Sequence, residues 1–256
     1  MDLHAFFKQA GVEEFTEVSL TDLMADDQTY VREFFPSASS AIIFGRPVPP
    51  GAYQLSPADQ TREMLAIAEY LNDVAIRLAE LLRADGIPAE HIPLYLPVRI
   101  DGGRVQGVVR LKHLAAAGGL GTIGRNTLLL HPIHGPRLLL SGVVTGKTGL
   151  IEKSDDNLPE DGGMEAPIPS ALCRRCGACI RACPVGAIGP DGVDTFRCRT
   201  ISPWVPGPVV PIATWLIGRR LLLRCLAPVA PWIARMATIR CSRCVTECPV
   251  FGGRGG

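Results

Sequence analysis

The stretch LKHLAAAGGLGTIGRNTLLLHPIHGPRLLLSGVVT, residues 111–145, places Gly119, Gly121 and Gly124 at the spacing G-x-G-x-x-G. That spacing lets backbone approach a dinucleotide pyrophosphate, but only in a particular setting. A strand should precede the glycines, a helix should open on them, and an acid should follow about twenty residues on. Here the setting is reversed. VVRLKHLAAA (108–117) reads as a short helix running into the glycines. NTLLLH (126–131) and RLLLSGVVT (137–145) read as two strands joined by the PIHGP turn. No Asp or Glu occurs between Gly124 and Glu152. The pattern excludes a dinucleotide-binding fold, and the glycines need another explanation.

Upstream, residues 1–30 read as a short helical N-terminus, and SSAIIFG (39–45) as a buried strand. The clearest helix begins at LSPADQ: Ser56 caps, Pro57 suits the first turn, and Asp59 completes a capping-box spacing. Met64, Ile67, Ala68, Leu71, Val74, Leu78 and Leu81 recur at helical spacing, and Gly86 and Pro88 end the run. HIPLYLPVRI (91–100) reads as a further strand. MDLHAFFKQAGVEEF has no basic start and no sustained apolar run, so no secretory signal is expected there.

Downstream, residues 152–170 are polar, acidic and rich in Gly and Pro, the composition of a linker. All nine cysteines follow it. CRRCGACIRACP supplies Cys173, Cys176, Cys179, Cys183 and Pro184, or C-x2-C-x2-C-x3-C-P. In ferredoxin runs of this form, three cysteines hold one [4Fe–4S] cluster and the fourth holds another. CSRCVTECP supplies Cys241, Cys244, Cys248 and Pro249, one ligand short, and Cys198 is the evident supplier. Eight ligands for two cubes result. The crossover rule assigns Cys173, Cys176, Cys179 and Cys248 to one cluster, and Cys183, Cys198, Cys241 and Cys244 to the other. Two runs ending in Cys-Pro disfavour zinc, and Cys225 is left as a structural thiol. Thiolate ligation suits a reducing, cytoplasmic setting.

Charge divides along the same boundary. Residues 1–170 hold 14 Lys and Arg against 22 acids; residues 171–256 hold 12 Arg, no Lys and 3 acids, a net +9. Two cubes of about −2 each would lower this to about +5, so clusters explain only part of the excess. The insert at 200–240 adds Trp204, Trp215, Trp232, Arg219, Arg220, Arg224 and Arg235, with no acid. Its prolines oppose a spanning helix. It reads as core cover, a partner contact, or an interfacial helix pair giving peripheral membrane contact. His131 and His134 flank the PIHGP turn, where backbone bonding is the ordinary role and metal ligation the alternative.

The 111–145 segment followed by the two cysteine motifs resembles the epoxyqueuosine reductases and the corrinoid-dependent reductive dehalogenases; FPSASSAIIFG (35–45) also fits. The resemblance implies an α+β protein: a nitroreductase-like α/β domain over 1–165, then a ferredoxin-like module with two [4Fe–4S] clusters over 166–256. It implies cobalamin in the first domain, with flavin as the lesser alternative. Gly119, Leu120, Gly121, Gly124, Arg125 and Asn126 would then line the corrinoid. Electrons would come from a donor protein such as a ferredoxin or flavodoxin and reach a small-molecule or nucleoside-like substrate; nucleic acid is disfavoured. The chain departs from the family at Val105, where epoxyqueuosine reductases carry a proton-donating acid. Asp101, Lys112 and His113 are the candidate replacements, with Arg110 beside them. Neither the family's tRNA-holding C-terminal portion nor the dehalogenases' export signal is expected from this sequence. A second reading is a non-catalytic two-cluster electron-transfer protein whose first domain only docks.

Overall fold

A computed structural model describes residues 2–95, 98–101, 104–151, 172–189, 192–195, 197–199 and 238–253, with backbone only for the strand residues 98–101 and 104–106. The expected linker, Cys225, the three tryptophans and the insert 200–240 up to Ala237 lie outside the described residues. In chain order the elements are α1 (Leu3–Gln9), β1 (Glu14–Ser19), α2 (Ala25–Phe34), β2 (Ser40–Pro47), α3 (Pro57–Ala84), β3 (Ala89–His91), β4 (Val98–Asp101), β5 (Arg104–Gly107), α4 (Leu111–Ala117), β6 (Thr122–Ile123), β7 (Leu129–Leu130), β8 (Leu138–Thr145), α5 (Ala178–Ala182), β9 (Ile188–Gly189), β10 (Gly192–Val193) and α6 (Arg243–Thr246).

Strand β2 explains the architecture. Its first six residues are buried, so it needs cover on both faces. Ile42 and Phe44 enter a layer with Phe7 of α1 and Leu71, Val74 and Leu78 of α3. Ala41 and Ile43, alternating with them, enter the opposite layer with Val31 of α2 and Leu114 of α4. The result is a mixed α+β sandwich around an antiparallel sheet of order β1-β2-β8-β3. Helix α3 starts as its sequence requires: Ser56 Oγ accepts from Asp59 N at 3.2 Å and bonds its carboxylate at 2.7 Å. Its buried face runs through Leu71, Val74, Leu78 and Leu82, each worth about 1.5–3 kcal/mol of burial.

Four expectations are corrected. The N-terminal 30 residues contain β1, because EFTEVS pairs residue by residue with β2 from Glu14↔Gly45 to Ser19↔Ser40. The strand expected over 91–100 is broken: β3 stops at His91 and β4 begins at Val98 in a separate hairpin. Pro93 and Pro97 lie between, and neither can donate to a ladder. NTLLLH and RLLLSGVVT do not pair with each other. β7 pairs with β6, while β8 fills the sheet between β2 and β3, and only the bridge His131↔Gly135 joins the ends. Leu81 is exposed and Leu82 takes the core position, as the 3.6-residue period drifts along this long helix. Among the described residues no helix is long and apolar enough to cross a membrane.

Candidate functional site

The glycine stretch forms a tight loop leaving α4. Thr16 Oγ1 of β1 donates to Gly118 O at 2.6 Å and fixes where the loop begins. A side chain at Gly121 would overlap the Leu130 carbonyl, so only glycine lets β6 lie this close to β7. At Gly119 the space is open. Lys112 Nζ reaches across to Thr127 O at 2.6 Å, where Thr127 holds a left-handed φ of +59°. Desolvation by the surrounding chain lowers the Lys112 pKa from the ordinary lysine value, although the residue as a whole is exposed. Arg125 Nε and Thr122 Oγ1 are buried without a hydrogen-bond partner among the described residues. Leu120, by contrast, is packed into the core layer beneath the sheet. Asn126 is 4% exposed. Its Oδ1 accepts from Leu128 N at 3.3 Å, and its Nδ2 donates to the carbonyl of Cys244 at 3.0 Å.

The first turn of α4 rests on a residue no motif singled out. Asp27 of α2 is 2% exposed and accepts from Arg110 Nε at 2.6 Å, with His113 Nδ1 3.4 Å from its other oxygen. Burial acts to raise this carboxyl, and the hydrogen bonds from His113 and Arg110 overcome it, holding the pKa below the ordinary 3.8. Arg110 also lies over the Tyr30 ring, 4.9 Å from its centroid. His113 is thus turned toward Asp27. Asp101 ends β4, facing Arg104 in the backbone register of the β4–β5 hairpin, and Val105 faces Ile100 there.

The two cysteine motifs fold alike. Each encloses a one-turn helix, α5 around Cys179 and α6 around Cys244, and each exits into Cys-Pro. Cys183 therefore follows a helix rather than starting one, and its Sγ accepts from Ala187 N at 3.2 Å. Desolvation raises the Cys248 thiol, and the thiols of Cys179, Cys176 and Cys173 raise it further. Desolvation pushes Cys244 up to about 11, helped first by Cys198 and Cys241, then by Cys179 and Cys183. Cys179 is raised by burial and by Cys173. Cys248 thus feels Cys179, Cys176 and Cys173, whereas Cys244 feels thiols of both runs, Cys198 and Cys241 first and Cys179 ahead of Cys183. Thiols that oppose one another's ionisation become thiolates readily only when cations sit among them, which is the donor chemistry of an iron–sulfur cluster.

The second motif is seated on the first domain. Ile239 N donates to Thr61 Oγ1 at 2.7 Å. Arg137 is 7% exposed and donates to Phe251 O at 2.9 Å and Val48 O at 2.7 Å. Tyr53 meets the Phe251 ring edge-on at 5.3 Å. The seat itself is the turn His131–Arg137, closed by reciprocal backbone bonds of 2.8 Å between His131 and Gly135.

Glu14 of β1 locks that turn, accepting at 2.9 Å from Nε2 of both His131 and His134. These three side chains could be mistaken for a metal site, since their ligand atoms lie within 4.8 Å of one another. The hydrogen bonds oppose that reading. His131 Nδ1 accepts from Ile133 N at 3.2 Å and His134 N at 3.3 Å, which puts the ring proton on Nε2, the atom a metal would need bare. The His131 hydrogen bond, working against desolvation, holds the Glu14 carboxyl below the ordinary 4.5. A depressed carboxyl stabilises the fold fully above its unfolded pKa and loses that contribution as pH falls through the folded value. Glu14→Gln is expected to cost about 1–2 kcal/mol at neutral pH. It should also flatten the acid limb of stability, read as melting temperature against pH by circular dichroism.

Residues 166–189 match the 4Fe–4S binding domain family. An epoxyqueuosine reductase of Pseudomonas aeruginosa is 33% identical over 131 residues, 51% of this chain and 31% of that relative. One from a Synechococcus strain is 36% identical over 111 residues, 42% of this chain and 30% of that protein. These matches span about a third of the length of either curated relative. The solved epoxyqueuosine reductase of Streptococcus thermophilus shares the fold at a TM-score of 0.55 and 14% identity, over 98% of this chain and 65% of that one. The chain is thus an iron–sulfur protein whose resemblance to the epoxyqueuosine reductases is borne out in sequence and in fold.

Proposed function

We propose that the chain is an oxidoreductase with two [4Fe–4S] clusters, one on Cys173, Cys176, Cys179 and Cys248, the other on Cys183, Cys198, Cys241 and Cys244. They carry electrons to a corrinoid held by a nitroreductase-like domain over 1–165, for reduction of a nucleoside-like substrate such as the relatives' name describes. Asn126 is the observation that supports this most directly. One buried amide bonds both the glycine loop and a cluster-ligand carbonyl, so the cofactor loop and the electron carrier share a wall. The residues present fit a large flat cofactor: open space at Gly119, and partnerless polar atoms on Thr122 and Arg125. A bound corrinoid supplies a redox metal that the side chains cannot. The chain's own part is to leave room at Gly119, to orient through Arg125 and Asn126, and to provide a proton. Lys112 suits the last task best, because it already bonds the loop and its lowered pKa eases proton release. The thiol chemistry supports a reducing, cytoplasmic location.

Val105 at the family's acid position favours the second reading, a two-cluster electron-transfer protein with a docking domain. Anaerobic reconstitution with iron and sulfide, addition of hydroxocobalamin or flavin, desalting, and absorption and EPR spectra separate the two. A retained corrinoid is the expected result. Clusters with nothing retained overturn the corrinoid reading.

A further inference from the structure

Three exposed arginines lie within five residues of one cysteine of the first run, Cys176. Of the eight cysteines described, Cys176 alone is exposed. Arg174 and Arg175 precede it and Arg181 closes α5, all three exposed. Arg181 bends back so that Nη1 donates to Cys176 O at 2.9 Å. Arg175 holds φ at +52°, a left-handed conformation that costs about 1–2 kcal/mol for a residue with a side chain. No Asp or Glu occurs from Ala166 to Pro190. Compensation of cluster charge explains part of this, but a residue of about +5 survives two clusters over 171–256. Cations serving only a buried cluster need not be displayed at the surface.

We propose that the rim of Arg174, Arg175 and Arg181 around Cys176 is the docking face for an acidic one-electron carrier protein. This rests on the two-cluster reading above and adds where electrons enter. On each encounter the reduced carrier loses one electron and the oxidised cluster ligated by Cys176 gains it; no atom or proton moves. Arginine forks suit carboxylates, and a concentrated positive rim raises the encounter rate with an acidic protein. An RNA backbone would also use the arginines, but would have no use for a cluster ligand between them. That the ligand at their centre is the most exposed of the eight described favours an electron carrier.

The test uses the full chain with reconstituted clusters, mixed anaerobically in stopped flow with flavodoxin in its hydroquinone state. For the wild type, the second-order rate of cluster reduction falls as salt rises past the point where the Debye length is about 10 Å. Arg174→Glu with Arg175→Glu slows it about tenfold or more at low ionic strength. Arg174→Lys with Arg175→Lys stays near wild type, as does the net-charge control Arg32→Glu. Reduction by the methyl viologen radical cation is not slowed by the charge reversal, and iron content is unchanged. A salt-independent wild-type rate overturns the proposal. So does a charge-reversed variant with full iron and an unchanged flavodoxin rate. Loss of affinity for an RNA stem-loop, measured by anisotropy, with no change in that rate assigns the surface to RNA instead. A wild-type chain that takes up no iron overturns the cluster reading itself, a failure distinct from these.

Discussion

A chain carrying both Cys183→Ser and Cys244→Ser retains about four iron atoms after reconstitution, the same as either single variant, against about eight for the wild type. The expectation follows from the proposed crossover assignment. Cys248 has Cys179, Cys176 and Cys173 around it, and Cys244 has Cys198 and Cys241, then Cys179 and Cys183. On that assignment both substitutions strike one cube. If each sequence run kept its own cluster, the same pair would damage both and almost all iron would be lost. Cys179→Ser with Cys244→Ser is the converse experiment, touching both cubes and emptying both. Iron and acid-labile sulfide per chain read the outcome, and EPR of the reduced protein adds a check: one cluster alone gives a simple signal, two coupled clusters a broadened one.

Gly135→Ala is expected to unseat the second motif. The residue sits at φ +56°, and a Cβ there would overlap the carbonyl oxygen of Val250. Left-handed backbone alone costs alanine about 1–2 kcal/mol. The overlap is with backbone, which has no rotamer to escape into, so the segment through Phe251 must lift. With it go the Arg137–Phe251 bond and the support behind the Asn126–Cys244 bond. We expect a total loss of about 2–4 kcal/mol and depleted iron in the cluster containing Cys244. Gly86→Ala is the matched control. Its φ is +76°, but nothing lies within 4 Å of the added methyl. It should lower the melting temperature modestly and leave iron untouched.

What the sequence made legible was whatever covalent spacing or local periodicity encodes. The cysteine runs were readable because thiols wrapping a small cluster tolerate few spacings. Helix α3 was readable because its cap and its apolar face lie within one element. The glycine stretch was readable as not a dinucleotide loop, since a helix enters it. What stayed hidden depends on partners far apart in the chain. Glu14 looks like an ordinary surface acid until β1 brings it to the turn 120 residues away. Asp27 sits in an acidic first turn indistinguishable from any other, and only the packing of α2 against α4 buries it under Arg110, 83 residues on. β1 itself was missed because its partner strand lies beyond an intervening helix. The supposed hairpin of β7 and β8 failed for the same reason: β8 finds better partners in β2 and β3 than in its sequence neighbour.

The sheet ends with Thr145 of β8, and the second cysteine run rests on Thr61 and Arg137 through Ile239 and Phe251. On the proposed crossover assignment each cluster draws on both runs, and neither is complete while 238–253 is still to be synthesised or still undocked. Metal loading is therefore a late act of maturation. A first domain that has misfolded offers no seat and closes no cluster, so the iron content of a purified preparation serves as an inspection mark for a part of the molecule that binds no iron at all.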